Sequence, residues 1–104
     1  MKMATNGSGK SKKVKVDISV EYFILKEGDI FAAYCPALNL ATQGDTFEDA
    51  SKAFEEALQI FIDEVMEMGT LDEVLRENGW VRTNKQWVPP MVVGQSSKRV
   101  QILV

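Results

Sequence analysis

The chain has 104 residues, of which 45% are hydrophobic, and it carries 12 basic and 15 acidic side chains, one cysteine and no histidine. These numbers suit one small domain with one core. Without histidine the chain lacks the base of Ser-His-Asp and Cys-His enzymes, and one cysteine excludes an internal disulfide and Cys/His metal sites. No stretch approaches the ~20 apolar residues of a membrane span and the start does not resemble a signal peptide, so we expect a cytoplasmic protein.

Charge is divided unevenly along the chain. Residues 1–15 contain five lysines and no acid, whereas the remaining residues contain seven bases and all 15 acids, a net charge of −8. Residues 1–13 are also rich in Gly, Ser, Thr and Asn, which predicts a disordered basic tail. This tail is either a nucleic-acid-binding arm or a solubilising extension. We expect a single domain over residues 14–104.

The first half of this domain predicts three antiparallel strands. Apolar and polar residues alternate over most of Val14–Leu25, which is typical of a strand with one buried face. A turn at Lys26–Asp29 leads to a returning strand, Ile30–Cys35, which Pro36 should end because proline donates no ladder hydrogen bond. Leu38–Gln43 is predicted as a third, short strand.

A long amphipathic helix is predicted next. Thr46 is a plausible N-cap, with Asp49 three residues later in the position of a capping-box acid, and Gly69 is the expected end. The apolar residues of this helix form one stripe at helical spacing: Ala50, Ala53, Phe54, Ala57, Leu58, Phe61, Ile62, Val65 and Met68.

The remainder predicts a short helix and one or two strands. Thr70 should cap the helix, Leu71–Asn78. Gln86–Val93 has a strand-like composition interrupted by two prolines, and Arg99–Val104 alternates like a strand. The order indicates an α+β fold, β-β-β-α-α-β, with the long helix packed on an antiparallel sheet.

Few residues suggest catalysis. Cys35 follows Tyr34 at the end of an apolar strand with no base nearby in sequence, so we expect a buried thiol that behaves as a small hydrophobe. Neighbouring acids on a helix point about 100° apart and do not converge, which favours a solvated face. An Mg²⁺ site built from Asp17, Glu21 and Asp45 stays open as an alternative without support from spacing. We therefore predict no enzyme, no catalytic residue, no cofactor and no metal.

The acidic body also limits the choice of partner. Nucleic-acid binding needs a basic surface, and an acidic body repels phosphates, so we expect no direct DNA binding by this chain. A net charge of −8 suits a basic protein partner, because complementary charge accelerates encounter. Solubility alone is an equally good explanation of the acidity.

Several segments resemble the HicB-like antitoxins. Asp29–Leu38 resembles their hairpin that ends in a Pro-x-Leu segment. Thr42–Ala50 resembles their Gln-Gly-Asp-Thr turn opening an amphipathic helix, and Ala53–Leu58 carries a matching Glu-Ala pair. Gly69–Glu73 followed by Asn78–Trp80 is similar to a compact, single-domain branch of the group.

The resemblance implies an antitoxin that binds and neutralises HicA, a small basic ribonuclease that cleaves mRNA. It implies a sheet-plus-helix domain described as a partly degraded ribonuclease-H-like fold, and a homo-oligomer formed through strands or helices. The motif residues would be architectural: Pro36, Gln43, Gly44, Asp45 and Thr46. Toxin contacts would come from exposed sheet positions and exposed acids. The candidate partner-binding acids are Glu48, Glu55, Glu56 and Asp63.

An alternative function comes from the tail and the aromatic residues. The chain would then be an orphan α+β domain that binds RNA or a small ligand through its sheet, with residues 1–13 as an accessory arm. Deletion of these residues separates the two hypotheses, since nucleic-acid affinity would be lost only under the alternative.

Overall fold

The computed structural model of the protein describes residues 17–84 and 86–104. The predicted disordered tail, the first residues of the predicted first strand (Val14 to Val16) and Lys85 lie outside the described residues. The described chain has an α+β fold with the element order β-β-β-α-α-β-β. A three-stranded antiparallel sheet and two helices, one of them long, agree with the predicted fold class.

The main sheet is formed by the first three strands in chain order. These are β1 (Phe23–Glu27), β2 (Ile30–Cys35) and β3 (Leu40–Gly44), paired antiparallel in the order β1-β2-β3. The β1–β2 turn has two residues, and Gly28 has a φ of 63°, which glycine adopts without steric cost. The predicted bounds of β2 are confirmed, as is its end before Pro36.

The first strand is shorter than predicted. β1 begins at Phe23 because no described strand pairs with residues 17–22. The predicted alternation nevertheless holds in the burial of these residues. Ile18, Val20 and Tyr22 pack against the core, whereas the residues between them are exposed.

The third strand begins two residues later than predicted because residues 36–39 form a turn. The Leu38 amide donates to the Cys35 carbonyl oxygen at 3.4 Å, and the Asn39 amide donates to that of Pro36 at 3.3 Å. Asn39 adopts the left-handed region, with a φ of 52°, which asparagine tolerates better than most residues. Leu38 is therefore buried in a turn and not in a strand.

The long helix, α1 (Phe47–Met68), has the predicted ends. The Thr46 side-chain oxygen accepts a hydrogen bond from the Asp49 amide at 3.0 Å, and Gly69 ends the helix with a φ of 69°. Most of the predicted stripe is buried or half-buried, with Phe54 fully enclosed. Met68 is an exception at 71% exposure, because the chain turns at Gly69 and leaves the last helical turn uncovered.

The second helix, α2 (Leu71–Glu77), is one residue shorter than predicted. The predicted cap at Thr70 is wrong, since its side chain makes no capping hydrogen bond. Its φ of −112° and ψ of 16° differ from the extended conformation that directs an N-cap side chain at the first free amides.

The C-terminal strands form a separate hairpin and do not extend the main sheet. Strands β4 (Val81–Thr83) and β5 (Gln86–Val88) pair antiparallel as a two-stranded sheet. The predicted strand Gln86–Val93 ends early because Pro89 and Pro90 supply no ladder donor. The predicted strand Arg99–Val104 is wrong: these residues have no regular structure and are exposed, because no described strand pairs with them.

The core lies between the main sheet and the helices. Trp80 is 3% exposed, and its indole nitrogen donates a hydrogen bond to the Ala37 carbonyl oxygen at 2.6 Å. Tyr22 stacks on Phe54 with 4.2 Å between ring centroids. The buried cluster consists of Ala33, Cys35, Ala37, Leu38, Ala50, Phe54, Leu75 and Trp80.

Candidate protein-interaction surface

Negative charge is concentrated on the helices. Residues 47–77, which contain both helices, carry ten acids and two bases, a net charge of −8. The other residues from 16 to 104 carry five acids and five bases. The helical layer therefore holds a charge equal to the whole net charge of the body, because five acids and one base in residues 16–46 are offset by four bases in residues 78–104.

The four predicted partner-binding acids lie on one face of α1. Glu48, Glu55, Glu56 and Asp63 are all exposed. With 3.6 residues per turn, their spacing places them within an arc of about 100° on the side away from the buried Phe54. The Asp63 carboxylate also accepts a hydrogen bond from the side-chain nitrogen Nε2 of Gln59 at 2.9 Å. We call these four residues the acidic face.

Apolar side chains accompany the acids on the exposed part of α1. Ile60 and Met66 are each 59% exposed. Both residues fall outside the predicted core stripe, and sequence analysis did not select them as contacts. Protein interfaces combine apolar contact with a polar rim, so a helix surface of this composition suits a protein partner.

The outer face of the main sheet is a second exposed surface. Strand register places Phe23, Tyr34 and Ala41 side by side, with Leu25 on the same face. Phe23 is 41% and Leu25 is 47% exposed, and the Phe23 and Tyr34 rings meet edge to face at 5.9 Å. α1 packs on the opposite face, and no described element covers this one. These are the exposed sheet positions expected to contact a partner.

The architectural motif lies where β3 leads into α1. Thr46 caps the helix, whereas Gln43 and Asp45 are exposed. A Cβ atom on Gly44 would overlap the backbone nitrogen of Ala50 and lie 2.7 Å from the carbonyl carbon of Asp49. Close approach of the helix, and not a positive φ, therefore requires glycine at this position.

Cys35 and the three acids considered as Mg²⁺ ligands were the candidates for catalytic or metal chemistry. Cys35 is fully buried in the apolar cluster, where a thiol packs as a small hydrophobe. Within residues 17–84 and 86–104, no three or more acidic or cysteine side chains are arranged to hold a metal ion. Asp17, Glu21 and Asp45 are thus not brought together as a site.

A cluster of aromatic and basic side chains was not predicted. The guanidinium carbons of Arg76 and Arg82 lie 5.3 Å and 5.5 Å from the Trp87 ring centroid. Arg82 also approaches Asp72, with 4.0 Å between nitrogen and oxygen, an exposed pair of little energetic weight. These contacts join the β4–β5 hairpin to α2, and no local sequence signal indicates them because the residues come from three elements.

An open groove of about 330 Å³ runs between residues 17–20 and α1. Its half-buried lining residues are apolar, namely Ile18, Val20, Leu58 and Ile62. Its exposed lining residues, which form the rim, are Asp17, Glu55 and Gln59. We call it the acidic groove, and its apolar residues form the floor. Sequence analysis missed this groove because its two walls lie far apart in the chain.

Comparison with known proteins identifies no matching family model, curated protein or solved structure. None of the helices in the described part of the chain has the length and apolar character needed to cross a membrane.

Proposed function

We propose that this protein is a HicB-like antitoxin that binds a basic HicA-type, mRNA-cleaving toxin and neutralises it by protein–protein inhibition. The observation that carries the proposal is the net charge of −8 on the helical layer, with four acids on one exposed face of α1. A protein that grips RNA needs a basic surface for the phosphates. An acidic face complementary to that surface would compete with RNA for it.

The motif order supports the same proposal. The hairpin ending at Pro36, the Gln43–Thr46 turn and the helix that follows have the order in which the HicB-like pattern places them. In this proposal the fold is a HicB-like, partly degraded ribonuclease-H-like sheet-and-helix domain. The protein acts in the cytoplasm as a homo-oligomer and catalyses no reaction itself.

The two exposed surfaces would contribute differently to binding. The acidic face would steer the toxin, since charge complementarity raises association rates and rejects wrong partners. The outer sheet face, with Phe23 and Leu25 exposed, would supply apolar area of the kind that hot spots need. Specific recognition then depends on both surfaces.

Co-purification tests the proposal directly. The tagged chain is co-expressed with the product of the neighbouring gene, and the eluate is assayed for cleavage of an mRNA before and after the complex is dissociated. We expect a short basic protein with a catalytic-type histidine whose RNA cleavage is suppressed in the complex. A neighbour of another kind, with nothing bound to the chain, would contradict the proposal.

Charge reversal locates the contact. We expect the double variant Glu56→Lys/Asp63→Lys to weaken toxin binding by about tenfold or more, equivalent to about 1.4 kcal/mol. The matched control Glu73→Lys/Glu77→Lys makes the same change in net charge at two exposed acids of α2. Titration calorimetry on both variants, with urea unfolding to verify their stability, gives the comparison. Equal affinity losses in the two variants would show that net charge and not the acidic face determines binding.

A further inference from the structure

We propose that residues 93–104, the C-terminal arm, bind in the acidic groove of a second copy of this chain, so that two copies exchange arms reciprocally. The proposal rests on the arm and the groove, which shares Glu55 with the acidic face, and it specifies how the homo-oligomer of the proposed function would form. The exposure of the arm is its first support. Val93 is 91%, Val100 is 69% and Ile102 is 77% exposed, and Leu103 and Val104 are fully exposed. Water is an unfavourable environment for so many clustered apolar side chains.

The arm has the sequence of a strand without a partner. Val100, Ile102 and Val104 recur at every second position, so an extended arm would present them on one face. β-branched residues favour strands. The described structure nevertheless leaves these residues without regular structure. A partner strand or groove is therefore missing within the described chain.

The acidic groove complements the arm in polarity and charge. Its floor of Ile18, Val20, Leu58 and Ile62 would receive the apolar face of the arm. The arm contains two bases, Lys98 and Arg99, and no acid, whereas the groove rim carries Asp17 and Glu55. Residues 17–20 also lie outside the described strand ladders, so their backbone can pair with an added strand.

The arm leaves the body beside the groove but does not enter it within one copy, since no residue of 93–104 lines the groove. The Val92 amide donates to a Glu21 carboxylate oxygen at 3.4 Å, and residues 90–92 line a small pocket with Pro36 and Ala37. The 12 residues beyond this point reach up to about 40 Å when extended. Because each copy supplies one arm and one groove, a two-fold exchange satisfies both and closes the assembly.

A charge-swap mixing experiment tests the exchange. Light scattering after size exclusion should give the 104-residue chain an assembly mass twice the 11.6 kDa of one copy. We expect the arm variant Lys98→Glu/Arg99→Glu and the groove variant Asp17→Lys/Glu55→Lys each to dissociate at least tenfold more readily. An equimolar mixture should recover the dimer, because an acidic arm then meets a basic groove and a basic arm meets an acidic groove.

The controls separate the other possible occupants of the groove. Glu73→Lys/Glu77→Lys should remain dimeric, and Ile102→Asp, at an exposed position that cannot unfold the body, should be monomeric. A wild-type protein that is monomeric at every concentration would overturn the proposal, since the arm would then bind within its own chain or bind another protein. The proposal would also be overturned if both charge variants remained dimeric, or if an equimolar mixture of the two variants remained monomeric. Toxin inhibition is measured separately, so this failure removes the homo-oligomer from the proposed function and leaves toxin neutralisation intact.

Discussion

Gly44 connects a short sequence motif to the way α1 meets the sheet. Gly44 is the last residue of β3 and faces the first turn of α1. Because glycine has no side chain, the backbone of Asp49 and Ala50 can pack directly against it. Two residues earlier in the same strand, the Thr42 hydroxyl donates to the Ala50 carbonyl oxygen at 3.1 Å, which also joins β3 to the start of α1. The sequence indicates a glycine turn here, but only the packed structure identifies steric contact as its cause.

We expect Gly44→Ala to lower the free energy of unfolding by about 1–3 kcal/mol, because the new Cβ would push against backbone atoms that cannot rotate away. Gly94→Ala is the matched control, since a Cβ there meets nothing within 4 Å, and its effect should stay within about 0.5 kcal/mol. Urea unfolding measures both. Equal stability of the two variants would show that the helix does not approach Gly44 this closely.

Trp80 illustrates a residue whose partner no sequence pattern reveals. Its indole nitrogen donates to the carbonyl oxygen of Ala37, a residue in the turn after β2 and 43 positions away in the chain. Both groups are buried, so the hydrogen bond gives a partner to the indole N–H and to the carbonyl oxygen, neither of which can reach water. Sequence analysis included Trp80 only in the segment Asn78–Trp80 and did not identify its contact.

At the scale of elements, local signals predicted α1 well. Its start depends on Thr46 and its end on Gly69, and each acts on residues within one helical turn. Thr70 has the same residue type as Thr46 and also precedes a helix, yet it makes no side-chain cap. The chain enters α2 directly from the end of α1, which fixes Thr70 in a conformation unsuited to capping.

This difference makes a paired prediction about the two threonines. Thr46→Ala should lower the free energy of unfolding by about 1 kcal/mol, because the Asp49 amide loses its acceptor. Thr70→Ala should change it by less than about 0.5 kcal/mol, since no capping bond is lost. Thermal or urea unfolding of the two variants is sufficient. A larger loss for Thr70→Ala would contradict the assignment of the caps.

At the scale of the whole molecule, negative and positive charge are concentrated in different regions. The helical layer carries a net charge of −8, the opposite sheet face exposes Phe23 and Leu25, and the basic, apolar C-terminal arm leaves the body near Glu21. The sequence determines how many charges each segment carries. The packing determines that the negative charge of the helices lies in one layer and faces away from the sheet.

This separation predicts a salt-dependent association with a basic toxin. Exposed charges are screened over about 10 Å at 0.1 M salt. We expect the association rate constant to fall about tenfold or more from low to high ionic strength, with a smaller change in the dissociation rate constant. Stopped-flow measurements on the wild type and on Glu56→Lys/Asp63→Lys provide the test, and the variant should have the shallower slope. A flat response of the wild type would exclude electrostatic steering by the acidic face.

The sequence by itself determined the α+β class, the limits of β2 and α1, the buried Cys35 and the unequal charge of tail and body. These features depend on periodicity, caps and breakers that act between residues close in the chain. The tertiary structure decided which strands pair, that Arg99–Val104 remains unpaired, which atom the Trp80 indole contacts, and that residues 17–20 and α1 enclose an acidic groove. The reason is physical: strand pairing and groove formation join residues far apart in sequence, and no local pattern specifies which distant partner is available.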